Sequence, residues 1–339
     1  MYELNFDPAI CEACESVSCL MKCQYLDMDF QTAKHHRSLI ARGQDSSVLK
    51  DCVTCYACEE YCPYGNHPFY RIVELQDEKH IQPVPGPLTR QQLHLMRPQY
   101  LITKKTVHSP LINMCAFSML EGCIRGSLFD GVSVISGSDI FCNIMWLHFG
   151  TGTTIKERLP KAAWNIQHYY LEDSGIQEVI HFHDECYGAY THLAPAMGID
   201  IPFKSIHLFS FLHQRLNDLK DRIKPLNQIV AYQRPCSNRL VPETDILADK
   251  IFDQIGAIRA ERKYDRENAL CCTYAQQAQQ RDETADDVMK RNIEDMKSVN
   301  ASYCVFNCPA CFFTMSETVA ENGMIPILIS DLCLMALGE

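Results

Sequence analysis

Five cysteines in the last third of this 339-residue chain restrict its fold and chemistry more than any other feature. They are Cys236, the adjacent pair Cys271-Cys272, and Cys308 and Cys311 of a C-x2-C motif, with 34 residues before the pair and 35 after it. One tetrahedral metal ion does not need five thiolates, and adjacent side chains point apart, so the pair chelates a single ion poorly. The set therefore favours a cluster of several irons, in which neighbouring sulfurs bind different irons.

This spacing resembles the cysteine-rich CCG domain of the B-type and D-type subunits of heterodisulfide reductase. In that family such a quintet holds a non-cubane iron-sulfur cluster, and the resemblance implies a non-cubane [4Fe-4S] cluster here. Its ligands would be Cys236, Cys271, Cys272, Cys308 and Cys311. Thr273 stands where the family usually has glycine, so we expect the backbone after Cys272 to differ. The alternatives are scattered buried thiols or, for the C-x2-C motif alone, a thioredoxin-like redox pair.

The cysteine content indicates a reducing compartment. The chain has 19 cysteines, and disulfides would imply secretion, but Met1–Asp7 has neither the basic nor the apolar region of a signal peptide. We therefore expect metal ligands in a cytoplasmic protein. No apolar run approaches the roughly 18 residues of a membrane-spanning helix. The net charge of −11 disfavours nucleic acid as a partner.

The first eight cysteines form two sets of four. The first set follows C-x2-C-x4-C-x3-C, and the second follows C-x2-C-x2-C-x3-C with Pro63 next. The second matches the bacterial ferredoxin run, whose fourth cysteine binds the other cluster. If the same crossing occurs here, one [4Fe-4S] cluster is held by Cys11, Cys14, Cys19 and Cys62. The second [4Fe-4S] cluster is then held by Cys52, Cys55, Cys58 and Cys23.

The first set departs from the ferredoxin pattern in its longer middle spacing and in Gln24, which replaces the usual proline. We expect an altered loop that keeps all four ligands; two zinc sites are the alternative. The 28 residues between the sets include a helix-like segment, 30–41, and such an insert resembles the two-cluster, C-type component of heterodisulfide reductase. Residues 1–75 are thus predicted to form a ferredoxin-like module, and the proline-containing residues 76–108 a linker with a short helix near Thr89–Met96.

The remaining chain is predicted to form two related halves, 109–225 and 226–339. In each half an apolar run leads to a lone cysteine, a further cysteine follows, and a second apolar run leads to a ligand turn. The first half is a degenerate copy, with Phe141 and His183 at two of the five ligand positions. Its remaining candidate ligands are Cys115, Cys142, His183 and Cys186.

Such a Cys3His set suits one tetrahedral zinc ion or a four-ligand cluster. Two alternatives stay open: Cys123 could replace Cys115, or the site could be empty with His183 as a hydrogen-bonded core residue. We expect His148, His168 and His181 to be structural or exposed rather than ligands.

Strands and helices alternate in both halves, which predicts parallel α/β units. Asp245–Ile255 and Asp287–Ser298 have helical periodicity, and Tyr303–Phe306 has the pattern of a strand. Ligands on loops that leave parallel strands would converge at one sheet edge. The predicted fold is a multidomain α+β and α/β chain: a helical module for two [4Fe-4S] clusters, then two pseudo-repeated CCG-type α/β subdomains.

The resemblance covers nearly the whole chain, which is similar to a fusion of the C-type and B-type components of heterodisulfide reductase. It implies an electron-transfer subunit of a larger anaerobic redox complex, with a flavoprotein, hydrogenase, formate dehydrogenase or membrane subunit as partner. No glycine-rich nucleotide motif is present, so no flavin or nicotinamide is expected in this chain. The alternatives are a catalytic disulfide reductase, which in the family uses two facing non-cubane clusters, and a metal-stabilised adaptor.

Overall fold

Short helices make up the first part of the chain in the computed structural model, which describes residues 6–97 and 104–339. The expected helix over 30–41 is present as α3, and the carboxylate of Asp29 caps it by accepting a hydrogen bond from the N–H of Thr32. The other helices here are α1 (Pro8–Ala13), α2 (Ser18–Met21), α4 (Val48–Asp51), α5 (Ala57–Tyr61), α6 (Pro68–Glu78) and α7 (Gly86–Leu95). Residues 1–5 and 98–103, including Pro98 of the predicted linker, lie outside the described residues.

A four-stranded parallel sheet follows, in the order β2-β1-β3-β4. Its strands are β1 (Leu111–Asn113), β2 (Ser133–Ile135), β3 (Glu178–His181) and β4 (Lys204–His207). The connecting and flanking helices are α8 (Gly152–Ile166), α9 (Asp184–Gly188), α10 (Ala194–Ala196) and α11 (Leu208–Asp218). Ile112 pairs with Ile180, and Ile180 with Ile206, so apolar side chains run across the sheet.

A second parallel sheet has the equivalent order, β6-β5-β7-β8. Its strands are β5 (Gln228–Gln233), β6 (Ala257–Arg259), β7 (Tyr303–Phe306) and β8 (Ile325–Leu328). Its helices are α12 (Thr244–Ile255), α13 (Tyr274–Ala278), α14 (Asp282–Ser298), α15 (Pro309–Glu321) and α16 (Ile329–Ala336). The chain is therefore a mixed α/β protein with two parallel sheets, as the alternating pattern predicted.

Amphipathic spacing accounts for the two long helices of the second half. On α12, Ile251, Phe252 and Ile255 are buried, and Gly256 ends the helix in the left-handed conformation at φ +64°. On α14, Val288 and Ile293 are buried against the sheet. This helix begins at Asp282, five residues before the predicted start, because acidic side chains in the first turn favour the positive end of the helix dipole.

The helical N-terminal part packs against both sheets. Val53 and Tyr61 belong to the same apolar cluster as the strands of the second sheet. Tyr56 and Phe69 belong to the cluster that contains the first sheet. The cysteine-rich loops around α5 therefore lie at the junction of the three parts of the chain.

The strand order places the candidate ligands. In each sheet the chain leaves the two central strands in opposite directions, which creates the crevice at which open α/β sheets bind ligands. Cys115 and His183 follow the central strands β1 and β3, and Cys236 and Cys308 follow β5 and β7. Topology thus brings residues that are far apart in sequence to the same sheet edge.

Candidate metal centres

The five C-terminal cysteines form one connected group of thiols, which we call the quintet. The thiol of Cys271 hydrogen-bonds with those of Cys236 and Cys272. Cys272 in turn contacts Cys311, and Cys311 contacts Cys308. Four of the five side chains are buried and Cys236 is partly buried. The donor set is therefore sulfur alone, in a dry site, which fits an iron-sulfur cluster better than a hard cation.

One sulfur of the quintet is a preferred thiolate. Hydrogen bonds from the thiols of Cys236 and Cys272 hold the pKa of Cys271 well below its ordinary value, although burial opposes this. The same contact with Cys271 raises the pKa of Cys272 well above its ordinary value. Within the adjacent pair, Cys271 therefore ionises more readily than Cys272, and the thiolate is the form that binds metal.

Local backbone structure presents these sulfurs. Cys308 is the residue directly before α15, and Pro309 occupies the first turn of this helix, where a missing N–H costs nothing. Cys311 lies in the same turn, so both cysteines of the C-x2-C motif stand at the start of α15. After the adjacent pair, Thr273 adopts φ +76°, a left-handed conformation that suits glycine better than a β-branched residue.

The first half contains a smaller and tighter group. The ligand atoms of Cys115, His183 and Cys186 lie within 4.8 Å of one another, and all three residues are buried. The backbone N–H of Cys142 donates to the Sγ of Cys115 at 3.4 Å, and the Cys142 thiol contacts those of Cys115 and Cys186. The four candidate ligands of the first half therefore lie together. Cys123 instead lies beside Ser330 and Asp331.

The donors of this group fit a single metal ion. Burial opposes ionisation of Cys115, but hydrogen bonds from Cys142 and Cys186 hold its pKa well below the ordinary value. His183 accepts a hydrogen bond on Nδ1 from the N–H of Cys186 at 3.3 Å. Its Nε2 is buried without a hydrogen-bond partner among the described residues. Thiols and an imidazole packed this closely match the ligands of tetrahedral zinc.

The N-terminal cysteines separate into two groups. Cys11, Cys14, Cys19 and Cys62 line one cavity, next to the exposed side chains of Ile10 and Tyr64. Burial raises the pKa of Cys11 to about 11, and the neighbouring Cys14 and Cys62 thiols add to this effect. Cys62 thus lies with the first set of cysteines rather than with its own sequence neighbours.

A second cavity is lined by Cys23, Cys52, Cys55 and Cys58. Burial raises the pKa of Cys52 to about 12, and the neighbouring Cys23 thiol adds to this effect. Cys19 of the first group also borders this cavity, so the two N-terminal groups are neighbours. Cys62 therefore lines the cavity of the first set, and Cys23 lines the cavity of the second set.

The second N-terminal group lies against the quintet. The hydroxyl of Tyr25 accepts a hydrogen bond from the N–H of Cys271 at 2.9 Å, and Tyr25 also lies within electrostatic range of Cys55. Glu60 binds the guanidinium of Arg234 through two hydrogen bonds of 2.7 and 2.8 Å and pairs with Arg239 at 3.1 Å. These contacts hold the cysteine-rich N-terminal loops against the loop that carries Cys236.

Sequence reasoning missed Tyr25, Glu60 and Arg239 because each acts through a contact between distant segments. The sequence held one weak signal for two of them: Tyr25 comes two residues after Cys23, and Glu60 lies between Cys58 and Cys62. His148, which we expected to be structural or exposed rather than a ligand, is buried at the same junction.

Comparison with known proteins bears on the C-terminal part of the chain. Residues 230–316 match the cysteine-rich CCG domain family. The match includes all five cysteines of the quintet and supports the CCG-type iron-sulfur family for this segment, hence metal binding and an iron-sulfur-type redox role. No curated protein matches the chain.

A solved structure of a hypothetical protein from Helicobacter pylori resembles the fold. The sequences are 12% identical, the TM-score is 0.55, and the alignment covers 83% of this chain and 60% of that chain. At this identity the likeness concerns the fold alone. The chain described here corresponds to about three fifths of that protein's length.

No helix within residues 6–97 and 104–339 is both long and apolar enough to cross a membrane.

Proposed function

We propose that the chain is an iron-sulfur electron-transfer subunit of a larger redox complex. The observation that carries the proposal is the contact between the all-thiol quintet and the neighbouring group of Cys23, Cys52, Cys55 and Cys58 through Tyr25. In this proposal the quintet binds a non-cubane [4Fe-4S] cluster and the two N-terminal groups bind cubane [4Fe-4S] clusters. When bound, such clusters accept and release single electrons.

The order of the groups supports a relay. The Cys11 group borders the exposed residues Ile10 and Tyr64, so a partner could approach it from solvent. Cys19 of this group also borders the cavity of the second group. Tyr25 borders the same cavity and accepts a hydrogen bond from the N–H of Cys271 in the quintet. The quintet is the most buried of the three groups. Electrons would therefore enter or leave at the Cys11 group, with the quintet as the inner terminus.

In the first half, Cys115, Cys142, His183 and Cys186 are proposed to bind zinc. The ligand atoms of Cys115, His183 and Cys186 lie within 4.8 Å of one another, which supports one ion, whereas the sulfurs of a cluster bind irons that lie apart. Zinc has no redox chemistry, so this site would stabilise the fold rather than carry electrons.

A catalytic disulfide reductase is the second candidate. In the resembled family, heterodisulfide cleavage uses two facing non-cubane clusters, but the first half here has Phe141 and His183 at two of the five ligand positions. One quintet therefore favours the relay. A third candidate is an adaptor, in which the C-terminal half binds a partner and its cluster carries no electrons.

Anaerobic metal analysis with electron paramagnetic resonance (EPR) spectroscopy tests the proposal. We expect about 12 irons per chain, from three four-iron clusters, and three distinguishable signals. Cys271→Ser should remove the non-cubane signal alone, because Cys271 belongs only to the quintet. Cys333→Ser, at a buried thiol of α16, is the matched control and should keep all three signals. Loss of all signals in the Cys271 variant would refute the assigned groups.

Turnover separates the candidates. If the chain is a relay, the isolated protein should not reduce disulfides. Its quintet cluster should instead exchange electrons with the N-terminal clusters of the same chain. Disulfide turnover by the isolated, fully loaded protein would favour the reductase. A quintet cluster that never changes oxidation state during turnover of the intact complex would favour the adaptor.

A further inference from the structure

A buried histidine lies between the second N-terminal group and the quintet. His148 follows β2 in a short 3-10 helix and is 4% exposed. Its Nδ1 lies 3.0 Å from the hydroxyl of Thr54, and its Nε2 lies 3.8 Å from the Sγ of Cys236. His148 therefore contacts a predicted ligand of the quintet directly and the loop of the second N-terminal group through Thr54, although it belongs to neither cysteine motif.

Thr54 belongs to the loop of the other site. It stands between Cys52 and Cys55, and its N–H donates to the Sγ of Cys52 at 3.3 Å. The contacts thus run without a break from the sulfur of Cys52, through Thr54 and His148, to the sulfur of Cys236.

The backbone of Thr54 indicates that this contact is maintained against strain. Its φ is +58°, which is rare and strained for a β-branched residue. Its hydroxyl is buried and also receives a hydrogen bond from Gln279 at 3.3 Å. Strained residues of this kind collect at functional sites, where the surrounding structure fixes them.

The proton position follows from the neighbours of the ring. A metal-bound Cys236 sulfur is a thiolate, which accepts hydrogen bonds and cannot donate one. The Thr54 hydroxyl has one hydrogen and lies near two acceptors, the carbonyl of Val53 at 2.7 Å and Nδ1 of His148 at 3.0 Å. The tautomer that carries its hydrogen on Nε2 donates to the sulfur and leaves Nδ1 to accept from this hydroxyl. A metal-bound sulfur therefore selects the Nε2–H tautomer, and the Thr54 hydroxyl then directs its hydrogen to the ring instead of to Val53.

We propose that His148 is a positioning residue that hydrogen-bonds the Cys236 sulfur and is itself oriented by Thr54, so that the reduction potential of the quintet site depends on the neighbouring loop. Hydrogen bonds to cluster sulfurs stabilise the reduced, more negative state and raise the potential. Residues that hydrogen-bond to a ligand and fix its orientation likewise affect the reduction potential of a metal site. The inference rests on the proposed quintet cluster.

The test is an EPR-monitored redox titration of the intact protein. His148→Leu should shift the midpoint of the non-cubane signal to lower potential and leave the signal of the Cys11 group at its wild-type potential. Thr54→Val should shift the non-cubane midpoint in the same direction by a smaller amount, because the ring stays but loses its orienting hydroxyl. Valine keeps the β-branched shape, so the backbone strain is unchanged.

Two variants serve as controls. His168→Leu changes a partly exposed histidine that pairs with Glu172, and Thr89→Val removes a buried hydroxyl bonded to the carbonyl of Val84. Both should keep the wild-type midpoints. Unshifted non-cubane midpoints in both test variants at full iron content would overturn the inference while leaving the proposed function intact. If His148→Leu does not assemble, Thr54→Val decides alone. Absence of the non-cubane signal from the wild type would refute both proposals.

Discussion

The Nδ2 of Asn307 donates a hydrogen bond to the carboxylate of Asp184 at 2.9 Å, in a fully buried position. Asp184 directly follows His183, and Asn307 directly precedes Cys308. The bond therefore joins the ligand turn of the first sheet to that of the second. Asn238, two residues after Cys236, donates to the same carboxylate at 2.8 Å. One buried acid thus sets the relative position of the two candidate metal centres.

Asp184→Ala should destabilise the protein by about 3 kcal/mol, because two buried amide donors lose their acceptor. Hydrogen bonds from Asn238, Asn307 and Thr244 end on this carboxylate, and nothing in an alanine replaces them. Anaerobic urea unfolding of the metal-loaded protein measures the change. Asp200→Ala, at an exposed acid, is the control and should stay within about 0.5 kcal/mol of wild type. Equal stability of the two variants would contradict the role of Asp184 in holding the two ligand turns together.

Glu60→Gln should weaken the attachment of the N-terminal module. The substitution leaves the buried guanidiniums of Arg234 and Arg239 without their shared anion, and breaking a buried pair in this way costs about 3–5 kcal/mol. Because Glu60 is partly exposed, we expect a loss of stability of about 3 kcal/mol, at the lower end of this range. Limited proteolysis and urea unfolding should both show the effect. Glu321→Gln, at an exposed position, should not.

Thr273→Gly should stabilise the loop that follows the adjacent cysteines. At φ +76° threonine carries a left-handed penalty of about 1–2 kcal/mol, which glycine avoids. The greater freedom of glycine in the unfolded chain offsets part of this gain, so we expect a net increase of about 0.5 kcal/mol in the free energy of unfolding. A clear loss of stability would mean that the bond from Gln277 to the threonine hydroxyl outweighs the strain.

Cys186→Ser should remove about one zinc per chain and leave the iron content unchanged, because the group proposed to bind zinc shares no cysteine with the three groups proposed to bind iron. Inductively coupled plasma mass spectrometry of zinc and iron in the same sample measures both. Cys123→Ser is the matched control, since Cys123 contacts Ser330 and Asp331 instead of this group. Zinc loss in the control, or iron loss in the Cys186 variant, would contradict the assignment.

The His67–Glu59 pair should make stability depend on pH near neutrality. A hydrogen bond to Glu59 at 2.9 Å raises the pKa of His67 above its ordinary value, against a smaller effect of burial. The pair's contribution is complete below the unfolded pKa of about 6.5 and is lost as pH rises through the higher folded pKa. The pair is partly exposed, so the loss should be below about 1 kcal/mol. Unfolding curves between about pH 6 and pH 9 should show this decrease in wild type and a smaller one in His67→Gln.

Several helices and strands were predicted correctly from the sequence. The segment 30–41 and the strand Tyr303–Phe306 occur with the predicted bounds, because helix capping and β-branched or aromatic content act locally. The start of α14 was less accurate: its first turn has few apolar residues, and it is favoured instead by acidic side chains near the helix dipole.

By itself, the sequence determined which thiols and which imidazole could be ligands and the order in which strands lead to them, since ligand chemistry and strand pattern are properties of residue type and spacing. Whether the grouped residues lie together was decided by the tertiary structure, as for Cys62 beside Cys11 and Cys115 beside His183. The tertiary structure alone added the contact of Tyr25 with Cys271. It also revealed His148 between two sites, a position that no local pattern marks. The reason is physical: side-chain contacts between distant segments depend on how two sheets and a helical module pack, and this packing is set by burial of the whole apolar surface.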